Sequence, residues 1–118
     1  MGRGGGHPIY SRRALVSRGE VWWVDQPNVG RRPHLVLTRQ TAIPVLHSVL
    51  AVPATRRFRG IPSEVSLGPE DGMPRSCVLS LDNLTLMPKA FFVERICRLS
   101  GQRMHQVCAA LAIATACD

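Results

Sequence analysis

Residues 18–39 read RGEVWWVDQPNVGRRPHLVLTR. The segment 20–25 is rich in aromatic and β-branched side chains and therefore predicts a strand. The segment 26–30 contains a proline and a glycine, which are typical of a tight turn. Residues 34–38, HLVLT, form a mostly apolar run and predict a second strand. The whole stretch therefore predicts two strands joined by a short connection.

Arg32 lies next to this predicted turn. Pro33 disfavours the helical region for Arg32. Because Pro33 has no N–H group, we expect it to begin the second strand rather than to lie within its ladder. Arg32 would then stand at the mouth of a strand, fixed by the scaffold and open to solvent, which suits a functional cation. An ordinary surface arginine is the alternative.

The adjacent tryptophans should differ in environment. Neighbouring side chains of a strand point to opposite faces, so we expect one of Trp22 and Trp23 in the core and the other more exposed. The exposed indole could stack on a nucleic-acid base or pack at a dimer interface. The sequence leaves both roles open.

The rest of the chain predicts a small, strongly bent β-barrel with a C-terminal helix, because short strands and turn signals alternate until one amphipathic helix. Ser100 is the predicted N-cap of that helix, and its apolar face is expected to contain Met104, Val107, Cys108 and Leu111. The further strands are expected at 48–52, ended by Pro53 with Thr55 at its exit, and at 61–67, 76–79, 81–86 and 91–99.

The 118 residues suit one domain. We expect residues 1–17 to form a flexible basic tail and residues 18–118 to form the folded domain. The net charge is +7, and residues 1–62 hold ten arginines against two acidic residues. This imbalance favours a polyanionic partner such as nucleic acid. A basic tail combined with a bias towards arginine is the alternative.

Several kinds of site are disfavoured. The four cysteines, at 77, 97, 108 and 117, lack the spacing of a zinc site, so we expect buried free thiols in a reducing cytoplasm. We expect no metal and no cofactor. The longest uncharged stretches are short or interrupted by proline, which argues against a membrane span.

Arg32 and Thr55 can carry ribonuclease chemistry that needs no metal. Such an enzyme uses the substrate's 2′-hydroxyl as nucleophile and places cations and donors around the phosphorane. If the second and third strands are neighbours, these two side chains converge on one phosphate. Arg31 should point away from Arg32, so we expect it to support binding and not catalysis. The basic run 56–59 could follow the RNA backbone, with Phe58 stacking on a base; a solvated loop is the alternative.

Two motifs resemble the MazF/PemK family of toxin endoribonucleases. They are RGEVW at 18–22 with Asp25, and RPHLVL at 32–37. The resemblance extends over residues 18–115. It implies an SH3-like barrel with a C-terminal helix that works as a homodimer, and it implies that Arg32 and Thr55 are the catalytic pair.

The similarity returns at 61–65 and at 80–83, where it implies that Asp82 and Asn83 line the RNA groove. The connection 26–31 is shorter than the family's, so the cleavage sequence of a relative does not transfer. From the residues and the resemblance together, we expect RNA to be bound by Trp23, Asp25, Arg31, Arg56, Arg57, Phe58, Glu64, Asp82 and Asn83.

The resemblance therefore implies a toxin of a toxin–antitoxin pair. It would cut single-stranded RNA selectively and inhibit translation, with messenger RNA as the first candidate substrate and transfer or ribosomal RNA as others. A cognate acidic antitoxin would restrain it. The alternatives are a CcdB-like poison that binds gyrase and an SH3-like module that binds RNA without cutting it.

Overall fold

The computed structural model describes residues 15–117. They form an antiparallel sheet followed by one α-helix, which confirms the predicted mainly-β class with a C-terminal helix. The strands are β1 (Glu20–Gln26), β2 (Gly30–Val36), β3 (Ser48–Thr55), β4 (Glu64–Leu67), β5 (Cys77–Ser80), β6 (Thr85–Pro88) and β7 (Phe92–Arg98), and the helix is α1 (Gly101–Thr115). Short 3₁₀ turns lie at Gln40–Val45, Pro69–Asp71, Leu81–Asn83 and Lys89–Phe91. None of the described helices is long and apolar enough to cross a membrane.

Strand β3 is the centre of the sheet, whose order is β4-β5-β3-β2-β1-β7. One edge of β3 pairs with β2. The other edge is shared, because β6 pairs with its first half and β5 pairs with Ala54 and Thr55. Within residues 15–117 no ladder joins the end strands β4 and β7, so closure into an SH3-like barrel stays a prediction.

The sheet buries side chains on both faces. Val21, Leu35 and Val52 form one cross-strand row and pack in the cluster that contains Val107 of α1. The next residue along β2, Val36, packs in a second cluster with Phe92. Successive side chains alternate between faces, so a strand buried on both sides requires the continuous apolar run seen in β2.

The packed region begins before the predicted boundary at residue 18. Val16 is only 2% exposed and belongs to the second cluster. The Ser17 N–H donates a hydrogen bond of 2.8 Å to Glu20 Oε1. The rest of the predicted tail, residues 1–14, lies outside the described residues, and its flexibility stays a prediction.

Both prolines of the central strands differ from expectation. Pro33 lies inside β2, opposite Trp23, and was wrongly predicted to begin the strand. The ladder with β3 starts only at His34, so β2 has one neighbour at Pro33, and an edge position tolerates proline. Pro53 likewise does not end β3, which continues to Thr55.

The predicted strand 81–86 is also wrong. Residues Leu81–Asn83 form a 3₁₀ turn, and β6 begins only at Thr85. Strand β4 begins at Glu64, three residues later than predicted. The strand predicted at 91–99 is confirmed as β7.

Ser100 is the N-cap of α1, as predicted, because its Oγ accepts a 3.1 Å hydrogen bond from the Arg103 N–H. The inner face of the helix contains Val107 and Ala110 and packs against β4 and the turn 81–83. The placement of Cys108 on this face is wrong, since its thiol is exposed and lies 3.7 Å from Nη2 of Arg18. Cys117 is also exposed, so the expectation of buried thiols holds for Cys77 and only partly for Cys97.

Candidate active site

A cleft of about 540 Å³ opens where β2, β3 and the segment before β5 meet. This volume lies in the range of small-molecule sites. Among residues 15–117, its lining contains five arginines, one threonine and no acidic residue. The lining residues are Trp23, Arg31, Arg32, Pro33, Ala54, Thr55, Arg56, Arg57, Met73, Pro74, Arg75 and Cys77.

The cleft brings Arg32 and Thr55 together. The β2–β3 ladder pairs His34 with Pro53, and continuing this register by two residues places Arg32 opposite Thr55 on the same face. Arg32 is the third residue of β2, paired with Val24, and not at the strand's start as predicted. Thr55 is the last residue of β3, as predicted. The two side chains are therefore presented by neighbouring strands.

Both polar groups are free to meet a ligand. The Arg32 guanidinium has no acidic partner within residues 15–117. The Thr55 Oγ1 accepts a 3.2 Å hydrogen bond from the Arg57 N–H. A hydroxyl that accepts through a lone pair still has its proton to donate, so Thr55 can donate to a phosphate oxygen.

His34 fixes the backbone of Arg32. The His34 ring is 3% exposed, and its Nδ1 lies 3.1 Å from the carbonyl oxygen of Arg32. A carbonyl only accepts, so Nδ1 carries the proton in this contact. Burial lowers the pKa of His34, the hydrogen bond to Arg32 opposes this, and the charge of Arg32 adds to the lowering. The histidine is therefore neutral at pH 7 and holds the strand beneath the cation.

The buried imidazole predicts a pH dependence of stability. The unfolded chain binds a proton at His34 more readily than the folded protein, because the folded pKa lies below 6.5. The His34 contribution is complete above pH 6.5 and is lost as the pH falls towards the folded pKa. Urea unfolding at pH 7.5, 6.5 and 5.5 should show the free energy of unfolding falling in wild type and falling less in His34→Gln. Equal slopes for the two proteins would contradict this role of His34.

Trp23 and Arg31 form one wall of the cleft. The Arg31 guanidinium lies 5.4 Å from the centroid of the Trp23 ring, and its Nη2 is 3.3 Å from Oε1 of Glu94. Arg31 was expected to point away from Arg32, and this stays a prediction, although both residues line the cleft. The β1–β2 register places Arg31 on the same face of the sheet as Trp23, where the cation–π contact and the ion pair hold it. Trp22 packs against the second cluster, edge-on to Phe92 with ring centroids 6.4 Å apart. Both tryptophans are half-buried, so the expected division into one core and one exposed indole is not seen.

Five of the predicted RNA-binding residues do not line the cleft. They are Asp25, Phe58, Glu64, Asp82 and Asn83. Asp25 is exposed on β1, paired in register with Arg31, and Phe58 is 51% exposed on the loop after β3.

The other three have partners within the chain. Glu64 Oε1 accepts from the N–H groups of Arg59 and Gly60, at 3.1 Å each, and so shapes the basic loop. Asp82 accepts a hydrogen bond from the Ser63 hydroxyl, and Asn83 Nδ2 donates to Ser80 Oγ at 3.0 Å. These contacts order the turn 81–83 beside β5.

The cleft is also lined by four residues that were not predicted from the sequence, namely Met73, Pro74, Arg75 and Cys77. The segment 68–74 has the composition of a turn, which gives no indication that the residues around it line the cleft. The available signal was a single arginine next to a proline, between two apolar residues. Burial raises the pKa of the Cys77 thiol, so this group is a poor nucleophile. Among residues 15–117 no group of three or more His, Cys, Asp or Glu residues is placed to hold a metal ion.

Comparison with known proteins places this chain in a family. Residues 17–115 match the family described as PemK-like, MazF-like toxin of type II toxin–antitoxin system. The chain is 44% identical over 106 residues to the probable endoribonuclease MazF5 of Mycobacterium tuberculosis, which covers 89% of this chain and 97% of the relative.

Solved structures agree in fold. An endoribonuclease in complex with its cognate antitoxin, from a mycobacterial species, has a TM-score of 0.80 at 24% identity and covers 88% of this chain and 98% of its own. A MazE–MazF crystal structure from Deinococcus radiodurans has a TM-score of 0.74 at 25% identity. The match covers 87% of this chain and 97% of the chain in that structure. The family match and the 44% identity lead to one conclusion. The chain belongs to the PemK-like, MazF-like toxin family of type II toxin–antitoxin systems.

Proposed function

We propose that this endoribonuclease toxin cuts single-stranded RNA in the cleft by attack of the substrate's own 2′-hydroxyl on the adjacent phosphorus. The 2′-oxygen–phosphorus bond forms as the bond from phosphorus to the 5′-oxygen breaks. The products are a 2′,3′-cyclic phosphate and a 5′-hydroxyl end. The observation that supports the proposal is that Arg32 and Thr55, on the neighbouring strands β2 and β3, line one cleft together with four other arginines.

Arg32 stabilises the phosphorane. Negative charge builds on the non-bridging oxygens as the 2′-oxygen attacks, and a guanidinium offers them a planar, permanently charged fork. Because no acidic residue of the described chain neutralises Arg32, its full charge is available to the phosphate. Groups aimed at developing charge stabilise the transition state more than the ground state.

Thr55 supplies a second donor on the same phosphate. Its hydroxyl is held by the Arg57 N–H, which leaves the hydroxyl proton for an oxygen of the phosphorane. No carboxylate and no imidazole of the described part of the chain lines the cleft. We therefore assign the proton lost by the 2′-hydroxyl and the proton gained by the 5′-oxygen to water in the open cleft.

RNA binding follows from the charge of the cleft. Arg31, Arg56 and Arg57 line it beside Arg32 and Thr55, so a flexible polyanion is the matching substrate. Messenger RNA is the first candidate, with transfer and ribosomal RNA as others. Phe58, Asp25, Asp82 and Asn83 would contact bases outside the cleft, with Glu64 supporting the loop. The cytoplasm is where these RNAs occur.

A cognate acidic antitoxin would occupy the same cleft. Acidic side chains complement five arginines and would exclude RNA by competition. One structural relative is an endoribonuclease held by its cognate antitoxin. The proposal also includes closure of the sheet into an SH3-like barrel and assembly as a homodimer.

Cleavage should persist in EDTA, because the proposed transition-state stabilisation comes from Arg32 and Thr55. The measurement is incubation of a long RNA with the purified protein in excess EDTA, followed by mapping of the new ends. Loss of cleavage in EDTA and its return with divalent metal would reject this mechanism. An intact RNA under every condition would favour the gyrase-binding or non-catalytic alternatives.

A further inference from the structure

Arg75 is an exposed arginine at the tip of the connection before β5. The tip is three residues long and lies between Met73 and Cys77, which are both buried. Arg75 lines the cleft, and within residues 15–117 its side chain has no ion-pair or hydrogen-bond partner. A guanidinium presented to a cleft without an internal partner is available to a ligand.

The start of this connection is rigidly fixed. Asp71 accepts two hydrogen bonds from Arg103 of α1, at 2.8 and 3.2 Å, and one from the Gly68 N–H at 3.0 Å. The hydrogen bond from Arg103 lowers the pKa of Asp71, so the pair stays charged at neutral pH. The helix therefore anchors the connection that carries Arg75.

The next residue, Gly72, packs closely against β7. Gly72 has φ +95°, and a Cβ built on it would lie 2.7 Å from Cys97 Cβ. Met73 follows directly and contacts the Cys97 thiol at 3.6 Å. The tip at 74–76 is thus held between packed residues on both sides and presents Arg75 at a defined position.

Arg75 and Arg32 line the same cleft and belong to different parts of the sheet. Strand β3 lies between β2, which carries Arg32, and β5, which follows the connection that carries Arg75. Strands β2 and β5 are therefore two strand spacings, about 10 Å, apart. Five guanidinium groups around one cleft repel one another, and an extended polyanion relieves this repulsion better than one phosphate does.

We propose that Arg75 binds the phosphate next to the scissile one and so fixes the register of the RNA strand in the cleft. The inference rests on the proposed function, because it takes Arg32 and Thr55 as the scissile site. One phosphate is held between Arg32 and Thr55, and its neighbour meets Arg75 on the far side of β3. Arg75 is a binding and positioning residue and takes no part in bond breaking.

The test combines removal of the Arg75 side chain with neutralisation of one substrate phosphate at a time. A short RNA with one cleavage site is made in versions that each replace one phosphate by an uncharged methylphosphonate. Wild type, Arg75→Ala and the control Arg39→Ala are compared, since Arg39 is exposed but outside the cleft. On unmodified RNA we expect Arg75→Ala to raise KM about 10-fold or more, as loss of a charge-assisted hydrogen bond does, while kcat changes little.

The decisive result concerns the phosphate next to the cleavage site. Replacing it by a methylphosphonate should raise KM about 10-fold for wild type and for Arg39→Ala, and should leave the KM of Arg75→Ala unchanged. Binding of the same strand with a 2′-deoxy cleavage site is measured against salt. Arg75→Ala should lower the slope of log affinity against log salt by roughly 0.7, the value for one phosphate.

A wild-type KM in Arg75→Ala, or equal methylphosphonate effects in all three proteins, would overturn the inference. If the effect of Arg75→Ala depended on the identity of a base and not on any phosphate charge, Arg75 would contact a base, and this result would also overturn the inference. The binding measurement needs no cleavage. If RNA is bound with this coupling but never cut, the proposed function fails and the role of Arg75 stands.

Discussion

Arg32→Ala should cut RNA on the order of 100- to 1000-fold more slowly than wild type at saturating enzyme, about 3–4 kcal/mol of lost transition-state stabilisation. Arg32 lines the cleft together with Thr55 and has no acidic partner among the described residues. Its removal therefore acts where the charge of the phosphorane is greatest. RNA affinity should fall far less, because four other arginines still line the cleft. Single-turnover cleavage and direct binding of one RNA measure the two effects separately.

Thr55→Ala should slow the same step, and the double variant should be less impaired than the product of the two single effects, as expected for groups acting on one phosphate. Arg31→Ala is the matched control, since Arg31 lines the same cleft but is held by Trp23 and Glu94. It should weaken binding modestly and leave the single-turnover rate nearly unchanged. A folded Arg32→Ala that cuts at the wild-type rate would remove the assigned site and favour a binding module.

Glu20→Ala should lower the free energy of unfolding by about 2–3 kcal/mol, as removal of a buried, hydrogen-bonded charge does. The Glu20 side chain is 7% exposed and accepts from the Ser17 N–H and from Trp22 Nε1, at 2.8 and 2.9 Å. It also pairs with Arg98 and Arg95, at 3.3 and 3.5 Å. Both arginines are about half exposed and regain water when the carboxylate is lost, which limits the cost. The melting temperature should fall by roughly 8–15 °C.

Glu94→Ala is the control for this prediction. Glu94 also belongs to an arginine ion pair at 3.3 Å, but its side chain is 68% exposed. Exposed pairs contribute about 0–1 kcal/mol, so this variant should melt close to wild type. If the two variants lost equal stability, burial of Glu20 would not be the cause.

The sequence predicted the local parts of the site well. The β1–β2 hairpin follows from aromatic and β-branched residues around a turn with proline and glycine. Thr55 at the end of β3 and the Ser100 cap follow from equally local signals. From the sequence, the second and third strands were assumed to be neighbours, and the structure shows that β2 and β3 pair.

Tertiary contacts account for the misses. Pro33 lies inside β2 because the β3 ladder stops one residue away, which no local pattern encodes. Arg75 lines the cleft because a helix–turn ion pair positions a segment that reads as an ordinary turn.

In the proposed reaction, the RNA's own 2′-hydroxyl attacks the phosphate held between Arg32 and Thr55. The most direct measurement uses one short RNA and a copy with a single 2′-deoxy nucleotide on the 5′ side of the mapped cleavage site. Both are incubated with wild-type protein in EDTA, and the ends of the products are analysed. We expect the all-ribose strand to yield a 2′,3′-cyclic phosphate and a 5′-hydroxyl, and the substituted strand to be bound but not cut. Cleavage of the substituted strand at the same bond would contradict it.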